Sequence, residues 1–111
     1  MIEKIILDYL NAELDVKAYM ERPSKPTSKY VIMEKTGSSR FNMINRATLA
    51  VQSYADSMEE AAILNEAVKE KMYAAVRLND VCKVSLNSDY NFTDTAMKKY
   101  RYQAVFDIVH Y

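Results

Sequence analysis

The chain has 111 residues, 15 Lys and Arg against 15 Asp and Glu, and half its residues are apolar. This length makes one domain that can bury roughly 65% of its unfolded surface without metals or disulfides. A net charge of zero argues against duplex DNA or an anionic membrane as an electrostatic partner, and the weak self-repulsion suits a chain that associates with itself.

Ile2, Ile5, Ile6, Tyr9 and Leu10 recur at helical spacing and predict a first helix ending near Asn11 to Glu13. Asp15 to Met20 alternates, with Val16, Ala18 and Met20 on one side, and predicts a strand. Glu21 to Ser28 holds both prolines, Pro23 and Pro26, and reads as a loop. Tyr30 to Met33 is a short apolar run that suits a central strand. Thr36 to Ser39 carries the only glycine and is expected as a turn. Ala47 to Tyr54 returns as a strand, with Ala47, Leu49 and Val51 inward and Arg46, Thr48 and Gln52 outward. The two strands form an antiparallel hairpin with a long tip at Arg40 to Ile44. Phe41 and Met43 on that tip either fold back on the core or wait for a partner.

Ser57-Met58-Glu59-Glu60 has capping-box spacing, with two acids in the first turn to meet the helix dipole. Ala61, Leu64, Val68, Met72 and Ala75 trace one face of the helix that follows, out to about Val76. Val81 to Leu86 is a strand with Cys82, Val84 and Leu86 in phase, and Asn87 to Asp94 a polar loop carrying Tyr90 and Phe92. The last strand, Tyr100 to Tyr111, has Tyr100, Tyr102, Ala104, Phe106 and Ile108 on one face. Arg101, Gln103, Val105, Asp107 and Val109 occupy the other, a mixed surface of the kind that meets a partner. The order is α-β-β-β-α-β-β. It defines a single α+β domain with a mostly antiparallel sheet and helices on one face.

Chemistry finds little purchase in this pattern. One glycine excludes Gly-rich phosphate loops, and a lone cysteine and a lone histidine fall short of a zinc site. Cys82 cannot form an internal disulfide, which fits a reducing compartment, so the Asn91-Phe92-Thr93 sequon is a chance match. Cys82 and His110 are in phase with the apolar faces of their strands, so packing is the expected role of each rather than a dyad. Asp89 to Asp94 places oxygens at alternate positions but lacks the glycine and glutamate of a calcium loop. No enzyme activity, metal or cofactor is expected. No apolar run approaches the ~20 residues of a membrane span, and no signal peptide is read at the N-terminus. Tyr100, Tyr102 and Phe106 offer an alternative reading, a small module that stacks single-stranded nucleic acid on an aromatic sheet face. The glycine-rich basic signature of such platforms is missing, so nucleic acid is not expected as a specific ligand.

Four segments, Tyr30–Gly37 (YVIMEKTG), Thr48–Ser57 (TLAVQSYADS), Ser88–Asp94 (SDYNFTD) and Tyr100–Phe106 (YRYQAVF), occur in an order covering nearly the whole chain. Together they resemble the small tail-terminator proteins of tailed bacteriophages and prophages of Gram-positive bacteria, also called tail-completion, neck or minor capsid proteins. The resemblance implies a non-enzymatic virion protein, assembled in the host cytoplasm, that forms a ring, commonly a hexamer. Such a ring caps the tail tube, ends its polymerisation and offers a surface to the head connector or head-completion protein. On this reading the contacts with sister subunits and the tube protein fall on two loops and one strand face. The loops carry Arg40, Phe41 and Met43, and Tyr90 and Phe92. The strand face carries Arg101, Gln103 and Asp107, which is otherwise plain solvated surface.

Overall fold

Apolar residues at every second position, Ala47, Leu49 and Val51 in one segment and Ala104, Phe106 and Ile108 in another, give two long strands that share a buried side and form the middle of the sheet. In the computed structural model, which describes residues 1–93 and 99–111, β3 (Ile44–Ala55) pairs antiparallel with β5 (Tyr100–His110). The other sheet members are β1 (Ala18–Tyr19), β2 (Tyr30–Phe41) and β4 (Val81–Asn91). β2 adds to the free side of β3 and β4 to the free side of β5, both antiparallel. β1 pairs parallel with Val31 and Ile32, which completes the five-stranded order β1-β2-β3-β5-β4. Two helices, α1 (Ile2–Glu13) and α2 (Met58–Ala74), cover one face, and a 3-10 turn at Ala75–Arg77 closes α2. The class is α+β in the expected order.

The core lies between that face and the helices. Val31 and Met33 of β2, Leu49 and Val51 of β3, and Phe106 and Ile108 of β5 meet Ile6 and Leu10 of α1 and Val68 and Met72 of α2. Each such side chain contributes about 1.5–3 kcal/mol on burial. The expected inward residues of β3 and α2 are buried, as are Ala104, Phe106 and Ile108 of β5, but Tyr100 and Tyr102 at the start of β5 lie outside the core and Tyr100 is exposed.

The opposite face carries no helix. At its β1 end Tyr30, Ile32 and Tyr54 form a second small cluster against Tyr19. The rings of Tyr30 and Tyr54 stack at 4.7 Å and 9°, and Tyr19 meets Tyr30 edge-on at 6.4 Å. Burial pushes the Tyr30 phenol above its usual pKa.

Ser57 caps α2 as its spacing predicts, its hydroxyl accepting from the Glu60 amide at 3.1 Å. Ser57→Ala is therefore expected to cost about 1 kcal/mol, measured as a lower urea midpoint with an unchanged slope. Ser57→Asp, which keeps an acceptor there, should hold the wild-type midpoint; equal loss in both variants rules out the cap.

Four local expectations are corrected. Thr36 to Ser39 is not a turn: β2 runs straight through it to Phe41. Thr36 is the extra residue of a β-bulge between Lys35 and Gly37, and the chain reverses at Asn42 and Met43 instead, whose φ values are 50° and 64°. That is the geometry of a two-residue hairpin turn. Of the strand expected over Asp15 to Met20, only Ala18 and Tyr19 pair, and Met20 is exposed. Asn87 to Asn91 continues β4 rather than forming a loop, and Asp94 of that predicted loop lies outside the described residues. Cys82 is exposed, because it is the extra residue of a bulge between Val81 and Lys83. The bulge shifts the phase, so that Val81 and not Cys82 turns inward.

Candidate assembly surfaces

The helix-free face is built from every second residue of the four long strands, and its side chains bond to one another across the strands. At one level β3, β5 and β4 place Gln52, Gln103 and Tyr90 side by side. The Gln52 amide donates to Gln103 Oε1 at 2.8 Å, the Gln103 amide donates to the Tyr90 hydroxyl, and Tyr54 donates to Gln52 Oε1 at 3.1 Å. Gln103 is only 9% exposed, although no helix lies above it. One step along, Arg101 donates to the Tyr54 hydroxyl at 2.8 Å and to the Phe92 carbonyl. Its guanidinium sits over the Phe92 ring at 4.2 Å and the Tyr54 ring at 5.7 Å. Tyr90 and Phe92 meet edge-on at 5.8 Å. At the other end of the face both Asp107 oxygens are occupied, Oδ1 by the Thr48 hydroxyl at 2.9 Å and Oδ2 by the Asn87 amide at 3.0 Å. Donors and acceptors matched in this way hold their side chains in fixed positions before any partner arrives.

Of the residues singled out in the sequence, Tyr90, Phe92, Arg101 and Gln103 thus come together, with Asp107 farther along the same face. Tyr90 sits on β4 rather than on a loop, whereas Phe92 lies in the connection just after the strand's last residue, and both are exposed. Arg40, Phe41 and Met43 stand apart. They belong to the β2–β3 hairpin, in which every β2 residue from Glu34 to Phe41 is exposed and whose tip, Phe41 to Ile44, projects as a short arm past Asn45, the β3 residue nearest the tip that pairs with β5. Phe41 and Met43 are 73% and 81% exposed, so they do not fold back on the core. The sequence reading missed Tyr54 as a member of the face, and placed Gln52 outward without linking it to Gln103. The usable signal was their shared parity on neighbouring strands.

A polar tie fixes β4 to α2 beneath the sheet. Asp89 accepts from the Asn65 amide at 2.7 Å and from the Lys69 ammonium at 2.6 Å, and Lys69 also reaches Glu66 at 2.8 Å. The hydrogen bonds to Asp89 and Glu66 push the Lys69 pKa well above the lysine range.

Enzyme-like features are sparse. Among the described residues no cluster of three or more His, Cys, Asp or Glu side chains forms that could hold a metal, and no helix is long and apolar enough to cross a membrane. Of the three rings on the aromatic strand face, Phe106 lies fully buried under α2, whereas Tyr102 is half-buried and Tyr100 exposed. Comparison with family models and with curated proteins finds no match.

Proposed function

We propose that this chain is a structural subunit of a phage tail-terminator ring, which caps the tail tube, stops its growth and presents a joining surface to the head. The observation that carries the reading is the helix-free sheet face, internally bonded from Arg101 to Asp107. A face whose polar groups already satisfy one another can be covered by protein without leaving unpaired donors. The projecting arm adds a second, different surface, and a ring subunit needs two unlike surfaces to meet its neighbours head to tail. The neutral charge and the resemblance of four ordered segments to tail terminators support the same reading.

The test is the solution mass across a concentration series by light scattering, with negative-stain images of the largest species. Closed rings of one size are expected. Gln103→Glu with Arg101→Glu, which places like charges on the face while leaving the helical core untouched, should abolish capping of tail tubes. Normal capping by that variant would remove the face from the mechanism.

A further inference from the structure

We infer that the arm tip of one copy inserts into the groove between α1 and α2 of the next copy, and that this contact is the one that closes the ring. The inference rests on the ring reading and deepens it.

The first observation is the turn itself. A two-residue hairpin turn with both residues at positive φ is made at least strain by Asn-Gly, yet here the second position is Met43, at φ 64°. A side chain at positive φ is disfavoured by its own Cβ, and glycine there would be relaxed. The strained methionine stabilises nothing within the chain, because it is 81% exposed, beside Phe41 at 73% and Ile44 at 45%. A strained residue that presents an apolar side chain to solvent has its use outside the chain.

The second observation is a matching receptor. Where α1 ends against α2, Leu14, Val16 and Ile63 line a hollow of about 260 Å³, and Ile63 is largely exposed within it. Glu13, Asp15 and Glu60 stand at its margin, with Lys29 and Lys71 also bordering it. None of the three carboxylates makes an ion pair among the described residues, and neither do Arg40 and Arg46 at the base of the tip. The tip is apolar and flanked by two unpaired arginines; the hollow is apolar and bordered by three unpaired carboxylates against two lysines also unpaired among the described residues, a net charge of the complementary sign.

The third observation is their placement. α1 begins beside the arm, where Met1 and Glu3 share a hollow with Arg40, and ends beside β1, next to the start of β2. Ten strand positions separate Val31 from Phe41, about 33 Å at ~3.3 Å per residue. Tip and hollow therefore lie toward opposite ends of a molecule 45 Å long and cannot meet within one chain. Contact between them is heterologous, and repeated by rotation it closes a ring.

The test uses the full chain with Cys82→Ser. Met43→Cys and Ile63→Cys in the same chain should give an intermolecular disulfide ladder ending in a closed species under mild oxidation. Mixing the two single variants should give the mixed dimer only. Met43→Gly should raise the urea midpoint of the chain and yet demand at least tenfold more protein for association, a combination that misfolding cannot produce. Rings that form without a Met43–Ile63 linkage, or that form normally with Met43→Gly, overturn the arm contact and leave the ring reading intact. A chain that stays monomeric at every concentration overturns both.

Discussion

Phe106→Ala is expected to lower the stability of the chain by about 3–5 kcal/mol, the usual result of emptying a large aromatic site in a core. Phe106 has no exposed surface, stands between Leu49 and Leu86 on the neighbouring strands, and takes the edge of Tyr73 from α2 at 6.2 Å and 80°. It is thus the point at which β5, the sheet centre and α2 share one side chain. A domain of this kind has about 5–15 kcal/mol in total, so the variant should be partly unfolded near body temperature. Denaturant titration followed by far-ultraviolet circular dichroism reads the loss. Phe106→Leu, which retains apolar contact, should lose less, and an unchanged midpoint in both would contradict the burial of the ring.

Asp89→Ala should cost about 1–3 kcal/mol, because it strands polar groups that are not free to reach water. Asn65 is 2% exposed and its Oδ1 already lacks a protein partner among the described residues, so removing Asp89 leaves its amide unpaired as well. Lys69 would keep only Glu66. The same tie predicts an alkaline signature. The Lys69 pKa is raised in the folded chain, so its contribution is complete below the ordinary lysine value of about 10.4 and is lost as pH climbs through the folded value. Tyr30, whose pKa is raised by burial, also weakens the fold as pH rises past the tyrosine range near 10. The wild type should therefore lose stability above about pH 10. Asp89→Ala should lose less over that interval, since it keeps the Tyr30 effect but has given up the bond to Asp89. Parallel slopes for the two proteins between pH 9 and 11 would show that the tie is not made in solution.

The helices and the inner face of the sheet were legible because burial leaves a periodic trace. Ser57, Leu64, Val68 and Met72 announce α2, and Leu49, Val51, Phe106 and Ile108 announce the buried side of the two central strands. The misreadings fall where backbone geometry departs from composition. Gly37 suggests a turn, but it follows a bulge with a negative φ and nothing within 4 Å of its missing side chain. The real turn is hidden under Asn42 and Met43, because methionine is a poor residue for it. Asn87 to Asn91 is polar since β4 is an edge strand with little to bury, and polar sequence without alternation looks like loop. The parallel pairing of β1 follows from the residues 20–29, which are long enough to bring the chain round beside Val31. For the candidate surfaces, the exposed tip was visible as apolar residues with no helical or strand phase. The bonded face was visible only as a parity: Gln52 and Tyr54 meet their partners through the β3–β5 register, and Tyr90 meets Gln103 through a β4 register that two bulges shift.

Those three bulges have a further effect on how copies of the chain can add to one another. The sheet has two long open margins, β2 beyond Ile32 and the whole of β4, and straight open strands of this length invite edge-to-edge stacking without limit. Thr36 interrupts one margin, and Cys82 and Asn87 interrupt the other, so neither offers an unbroken row of amides and carbonyls to a sister strand. Growth by strand addition would have no natural stopping number and would end in fibres. With that route blocked, the exposed margins of the sheet give copies of this chain no template for open-ended growth.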